Sequence, residues 1–225
     1  MILLGSVVNG GAVVVGGLVG MFVGKLLPER LRTSVMAALS LMTIGIAVPG
    51  LLKSNNALIP IISMVVGTLI GELLDIDSAV NKLGEKLQKR FSGSRVTEGF
   101  VTGSLVFAVG ALAVMGPLES GLQHQHSLLF SKSVIDGVAS IVFASTMGLG
   151  VALSGITVFV VEGSIALLAS VVALYLGEAV VNEITFVGSL LIVGISLNLL
   201  GATKLRILNM VPAILLPILL CRFMG

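Results

Sequence analysis

The sequence predicts an all-α protein: a polytopic transmembrane helix bundle of about eight spans. Hydrophobic residues make up 56% of the chain and charged residues only 11%, whereas a soluble domain carries about 25% charge. Apolar runs of about 20 residues recur along the chain, and each can cross the hydrocarbon core as a helix. Aromatic residues are only 4%, with no Trp, which argues against a membrane β-barrel with its aromatic girdles.

Eight apolar segments are predicted to form a single transmembrane domain over residues 1–225. A window of about 20 residues places them at about 2–24, 35–52, 57–75, 99–117, 133–153, 156–177, 184–202 and 207–223. In the long apolar stretch that holds the fifth and sixth spans, Ser154 and Gly155 are the predicted turn. The eighth span carries Pro212 and Pro217, which predict a kink.

The distribution of positive charge predicts the orientation of the chain. With the N-terminus outside, ten of the 13 Lys and Arg residues fall in inner connections, as the positive-inside rule requires. Seven spans would instead move Lys204 and Arg206 outside. We therefore expect eight spans with both termini outside.

An amphipathic helix is predicted at about 77–92, in the longest inner connection. Its apolar positions are Ala79, Leu83, Leu87 and Phe91, and its basic positions are Lys82, Lys86, Lys89 and Arg90. Such a helix lies along the inner leaflet, either as an interfacial anchor or as a regulatory docking helix. Glu72, Asp75 and Asp77, at the inner end of the third span, are expected to face its bases.

Two internal repeats are compatible with the sequence. Ser40–Leu51 matches Ser189–Leu200 at several positions, which relates spans 1–3 to spans 6–8 and inverts the repeat in the membrane. Ser6–Ala12 also resembles Ser133–Ala139, which implies parallel repeats of four helices. Both alignments remain open at this point.

Glu162 is the outstanding polar residue of the predicted spans. It follows the predicted turn by seven residues, hence about 10 Å into the bilayer. An ionised carboxylate inside the membrane costs at least about 2.5 kcal/mol, so it must be paired, hydrated or protonated. Glu162 is either a proton or cation site facing a wet cavity, or a protonated side chain that bridges helices.

Several other polar side chains are candidate companions of Glu162 in a substrate or ion site. Asn9 and Asn198 carry amides that either coordinate an ion or join helices. Asp136 follows Lys132 by four residues, which predicts an ion pair on the helix surface near the outer interface. The fifth span adds the hydroxyl groups of Ser140, Ser145 and Thr146.

Glycines in the spans have two interpretations each. Gly20 with Gly24, and Gly67 with Gly71, form GxxxG patterns that pack helices either within the bundle or between protomers. Gly148 either packs closely or breaks its helix and exposes carbonyl groups. In the outer loop, two histidines and a glutamate lack a third strong ligand, so no metal site is predicted.

Several motifs together carry a resemblance to a known family. They are Gly5–Asn9, Ala12, Gly16, Gly17, Gly20, Leu27–Arg30, Arg32, Ser34, Met115–Leu118, Ser120, Leu122, Ser127, Lys132 and Asp136. The chain resembles the YqgA/YdfK-like bacterial integral membrane proteins, a domain of unknown function. The resemblance covers nearly the whole chain and implies an inner-membrane protein related to transport. It also implies Gln-Gly where this chain has Glu162 and Gly163.

The leading functional hypothesis is a secondary transporter, or ion-coupled carrier, of a small solute or ion. An oligomeric channel lined by hydroxyl groups and small residues is the alternative, followed by a membrane structural module or an intramembrane enzyme. No nucleotide-binding or catalytic motif is present, so no enzymatic activity and no cofactor are expected. The expected partners are membrane lipid and a small solute, with self-association open and no nucleic acid.

Overall fold

The computed structural model describes residues 1–26, 28–79, 82, 96–109 and 111–224, with the backbone alone at 29, 32, 111 and 224. Within these ranges the fold is an all-α helical bundle. Its helices are α1 (Leu4–Lys25), α2 (Glu29–Leu51), α3 (Leu58–Leu74), α4 (Val96–Ala108), α5 (Ala111–Gln123), α6 (Ser127–Met147), α7 (Leu149–Leu167), α8 (Ala169–Val172), α9 (Glu178–Leu199), α10 (Ile207–Met210), a 3-10 turn (Val211–Ile214) and α11 (Leu216–Met224). Most of the predicted amphipathic helix at 77–92 lies outside the described residues.

Among the described residues, five helices are long and apolar enough to cross a membrane: α1, α2, α6, α7 and α9. The pair α4 and α5 qualifies as a sixth span if the two are counted together, and α3 is a shorter apolar helix. The fourth span was predicted as one helix over 99–117, and this is wrong, because α4 and α5 are inclined at 59°. The sequence has Gly110 between them, and glycine is a poor helix former. The count of eight spans stays a prediction.

Helix α1 packs against α6 through its glycines. Gly20 contacts the carbonyl group of Ile141, and Gly24 contacts that of Ser145. The contacts advance in the same direction along both helices, so α1 and α6 are parallel. A side chain larger than hydrogen would separate the two backbones, which is the physical basis of GxxxG packing. The first GxxxG pattern therefore packs helices within the chain.

Helix α7 covers another side of α1 and runs antiparallel to it. A β-carbon on Gly10 would lie 2.9 Å from the carbonyl oxygen of Gly155, and one on Gly17 would lie 2.7 Å from Cβ of Ala152. Position 155 is thus a packing site inside a helix. Helix α1 therefore packs on both α6 and α7.

Helices α2 and α3 also belong to antiparallel pairs. The C-terminal end of α2 packs on the N-terminal half of α9, where Gly50 contacts Ser189. Gly71 of α3 contacts Asn209 of α10, and Gly67 meets the 3-10 turn that follows it. The second GxxxG pattern is also used within the chain. The kink predicted at Pro212 and Pro217 is found, since residues 207–224 form three short helical pieces.

The turn between α6 and α7 lies at Gly148, so the prediction of a turn at Ser154 and Gly155 is wrong. Gly148 has φ 72° and ψ −145°, a backbone conformation that is almost restricted to glycine. Ser154 instead donates a hydrogen bond of 2.6 Å to the carbonyl group of Val151. Its hydroxyl group is satisfied by its own helix, so it does not end the helix.

Replacing Gly148 by alanine is expected to destabilise the protein by about 1–3 kcal/mol because of this backbone strain. No atom lies within 4 Å of a β-carbon at Gly148, so steric exclusion plays no part. Gly45 of α2 is equally open and is the matched control, where alanine should stabilise the helix by about 0.5–1 kcal/mol. Thermal unfolding in detergent measures both, and equal shifts for the two variants would contradict the assigned turn.

The acidic residues at the end of α3 contact a base from a different part of the chain than predicted. Arg206, just before α10, forms ion pairs with Asp75 and with Glu72, the latter at 2.7 Å. Hydrogen bonds from Ser78 and then Arg206 hold the pKa of the Asp75 carboxyl group below its ordinary value. The expected partners on the adjoining amphipathic helix lie outside the described residues, except Lys82, whose charge has a smaller effect in the same direction.

Candidate functional site: a buried Lys–Asp–Glu–Asn cluster

Four polar side chains meet between α1, α6 and α7. Asn9 and Glu162 are 0% exposed, and Lys132 and Asp136 are each 6% exposed. Asp136 lies nine residues after the start of α6, and Glu162 lies thirteen residues after the start of α7. Because α6 begins at Ser127 and the turn lies at Gly148, both acids are farther from the starts of their helices than predicted.

Asn9 joins the two acids. Its Nδ2 donates a hydrogen bond of 3.1 Å to Oδ2 of Asp136 and one of 2.8 Å to Oε1 of Glu162. Asn9 is on α1, Asp136 on α6 and Glu162 on α7, so one amide group links these three helices. The close approach of α1 at Gly10 to α7 at Gly155 allows this short side chain to reach both carboxylates.

The Lys132 ammonium group lies between the same two carboxylates. It forms an ion pair with Asp136 in the same helix, as predicted, but that pair is buried and not on the helix surface. Its Nζ is also 3.3 Å from Oε1 of Glu162. Helix α7 contains no Lys or Arg. The positive charge beside Glu162 therefore comes from Lys132 of α6.

The third partner of Lys132 is a backbone carbonyl group near the C-terminal end of α4. Nζ donates a hydrogen bond of 2.6 Å to the carbonyl oxygen of Phe107, one residue before the end of α4. The last carbonyl groups of a helix have no intrahelical partner and carry partial negative charge. The C-terminal end of α4, where the bend to α5 begins, therefore lies against the buried ammonium group of Lys132.

Three buried polar atoms near the cluster have no hydrogen-bond partner among the described residues. They are Oε2 of Glu162, Oδ1 of Asn9 and Oγ of Ser6, which lies one turn before Asn9 on α1. A buried acceptor without a donor costs about 1–3 kcal/mol. A proton on Glu162 would turn its free oxygen into a donor and remove part of that cost.

The charges of the cluster do not balance when both acids are ionised. One ammonium group and two carboxylates give a net charge of −1 in a buried site. A net charge in an apolar interior is strongly unfavourable. One additional proton or monovalent cation would make the cluster neutral.

The structure brings three of the predicted site residues together, namely Asn9, Asp136 and Glu162. Asn198 is placed elsewhere: its amide group binds the connection after α9, through the carbonyl and amide groups of Leu205. The hydroxyl groups of Ser140, Ser145 and Thr146 are bonded to carbonyl groups of their own helix.

Lys132 is the site residue that sequence reasoning missed. The spacing of Lys132 and Asp136 did show their pairing, but only the tertiary packing shows that Glu162 shares the same ammonium group. In the connection between α5 and α6, Nδ1 of His126 lies 2.8 Å from the hydroxyl group of Ser120. No group of three potential metal ligands occurs in the described residues.

The fold and the cluster define an integral membrane protein of helical type. The chain belongs to the family described as "Protein of unknown function (DUF554)", whose profile matches residues 4–222. It is 31% identical over 219 residues to the "Uncharacterized membrane protein YdfK" of Bacillus subtilis strain 168, covering 96% of this chain and 94% of that protein. It is 26% identical over 220 residues to the "Uncharacterized protein YqgA" of Escherichia coli K12, with 95% and 94% covered. No solved structure matches the chain.

Proposed function

We propose that this protein is a proton-coupled secondary transporter of a small solute in the bacterial cytoplasmic membrane, with both termini outside. The observation that carries the proposal is the buried cluster of Lys132, Asp136 and Glu162, whose charge one proton would neutralise. Buried acids in membrane helices are typical of proton relays and ion pathways. A transporter of this kind moves its solute without catalysing a chemical reaction.

The occupied centre of the cluster favours a proton over a larger coupling ion. The Lys132 ammonium group already contacts Asp136 and lies 3.3 Å from Glu162. A metal cation bound by both carboxylates would have to displace it. A proton needs only one free carboxylate oxygen, which Oε2 of Glu162 provides. Asp136 has the closer contact with Lys132, so Glu162 is the group that exchanges the proton.

The arrangement of the helices supports a carrier with an inverted repeat. The inverted alignment relates spans 1–3 to spans 6–8, and each predicted counterpart pair packs together: α1 with α7, α2 with α9, and α3 with the segment 207–224. Successive contacts run in opposite directions along the two partners of each pair, so all three pairs are antiparallel: Gly10 and Gly17 on α7, Gly50 and Asn55 on α9, and Gly67 and Gly71 on 207–214. Inverted repeats with a site between them and a broken helix beside it are typical of secondary transporters.

The experiment has two stages. A thermal-shift screen of the purified protein against ions and metabolites identifies solutes that stabilise the folded state, because a ligand that binds the native state raises its stability by mass action. Those solutes are then added to proteoliposomes that contain a pH-sensitive dye. The proposal requires saturable, solute-dependent proton movement. Proton or ion conductance without solute, or solute uptake that moves no protons, would contradict it.

A further inference from the structure

A second buried carboxylate lies outside the cluster, at the wall of a separate cavity. The cavity has a volume of about 610 Å³ and lies where the α2–α3 connection, the start of α9 and the end of α11 meet. Its lining includes Asn55, Tyr175, Glu183, Cys221 and Arg222. The volume falls within the range of about 300–1,000 Å³ that is usual for small-molecule sites.

Glu183 is the polar anchor of this cavity. It is 3% exposed, and its Oε1 accepts a hydrogen bond of 3.0 Å from the backbone amide group of Asn55 and one of 3.4 Å from that of Asn56. Its Oε2 is buried and has no hydrogen-bond partner among the described residues. One oxygen thus orients the side chain, whereas the other has no donor to balance its burial.

The surroundings of Glu183 favour a positively charged donor. The walls are largely apolar, with Ile59, Val180 and Ile218 among the lining residues. A charge pair is stronger in such surroundings than in water. Arg222 is the only base among the described residues that line the cavity, and it is exposed, whereas the Glu183 carboxylate is buried.

We propose that this cavity binds a small solute through a protonated amino group, which donates to Oε2 of Glu183. Simple amines and amino acids both carry such a protonated amino group. In an amino acid, the carboxylate would bind Arg222. The inference goes beyond the proposed function, because binding at Glu183 requires no proton exchange at Glu162. The two sites share no residue.

Cys221 provides a direct readout of this cavity. It is the one cysteine of the chain, it is half-buried, and it lines the cavity with Glu183. The rate at which methyl methanethiosulfonate, a neutral thiol reagent, modifies the native protein therefore reports occupancy. The probes are linear amines from methylamine to hexylamine, the alcohols of the same length, and the corresponding ω-amino acids.

The expected result is a saturable, severalfold slowing of Cys221 modification by at least one amine or ω-amino acid, and none by the matching alcohol. Glu183→Gln keeps an acceptor for the amide groups of the α2–α3 connection but removes the charge, and should abolish the protection. Arg222→Gln should weaken protection by ω-amino acids and leave protection by the amines unchanged. Glu162→Gln should leave protection unchanged.

Equal modification rates with amines, amino acids and alcohols would overturn the proposal, as would protection that survives Glu183→Gln. The comparison of amine with alcohol needs only the natural chain, so it decides the matter even if the Glu183 variant does not fold. Protection without proton coupling would refute the proposed function and leave this site intact. Proton coupling without protection would do the reverse.

Discussion

Replacing Lys132 by methionine is expected to destabilise the folded protein by about 3–5 kcal/mol, the usual effect of removing one partner of a buried ion pair. Methionine has a similar volume, so the cavity contribution is small. The variant leaves Asp136 and Glu162 buried side by side with only Asn9 as a donor to both. The carbonyl group of Phe107 also loses its partner. Thermal or denaturant unfolding in detergent measures the loss.

Two controls separate the charge effect from packing. Adding Asp136→Asn to the Lys132 variant removes the carboxylate that Lys132 neutralises in the wild type. The double variant should therefore recover a large part of the lost stability. Lowering the pH should also reduce the difference between wild type and the single variant, because protonated carboxyl groups no longer need the ammonium group. A Lys132→Met variant as stable as the wild type at neutral pH would show that the cluster is not ionised as described.

Replacing Glu162 by glutamine is expected to abolish solute-dependent proton movement while the protein still folds. Glutamine keeps an oxygen that can accept the hydrogen bond from Asn9. The remaining ion pair of Lys132 with Asp136 is neutral without a further proton. We therefore expect the stability to change by no more than about 1 kcal/mol, the net value of one hydrogen bond, whereas proton coupling is lost.

Glu183→Gln is the matched control for this substitution. Glu183 is also a buried glutamate in the described part of the chain, but it lies in the cavity beside Cys221 and makes no contact with Lys132. The substitution should leave the exchangeable proton on Glu162 in place, so loss of proton exchange in both variants would contradict its assignment to Glu162. Unchanged coupled transport in the Glu162 variant would reduce Glu162 to a structural hydrogen-bonding residue.

The sequence predicts the helical membrane fold because hydropathy is a local property. The apolar helices, the kink at Pro212 and the ion pair of Lys132 with Asp136 all follow from residues close together in the chain. The turn between α6 and α7 was predicted at the wrong position, because a single glycine at positive φ, Gly148, is enough to turn the chain. The pair Ser154 and Gly155 looks like a stronger break in sequence, but the serine hydroxyl group bonds within its helix.

The site itself could be predicted only in part, because it depends on contacts between distant segments. Asn9 is 153 positions from Glu162 along the chain, and no periodicity relates the two. The misplaced turn also put Asp136 near the membrane surface in the prediction, where a Lys–Asp pair needs no further explanation. Asn198 is, like Asn9, a polar residue in an apolar span. Its side chain instead forms hydrogen bonds with the connection that follows its helix.

The central claim, that the cluster holds one exchangeable proton on Glu162, is tested most directly by infrared difference spectroscopy during a pH titration in detergent. The carbonyl stretch of a protonated carboxylic acid is separate from the stretching bands of an ionised carboxylate, so it shows the proton without any knowledge of the solute. We predict one buried carboxylic acid that loses its band reversibly as the pH rises. The band should be absent in Glu162→Gln and present in Glu183→Gln. A titrating band that persists in Glu162→Gln, or a wild-type protein without such a band, would contradict the proposed mechanism.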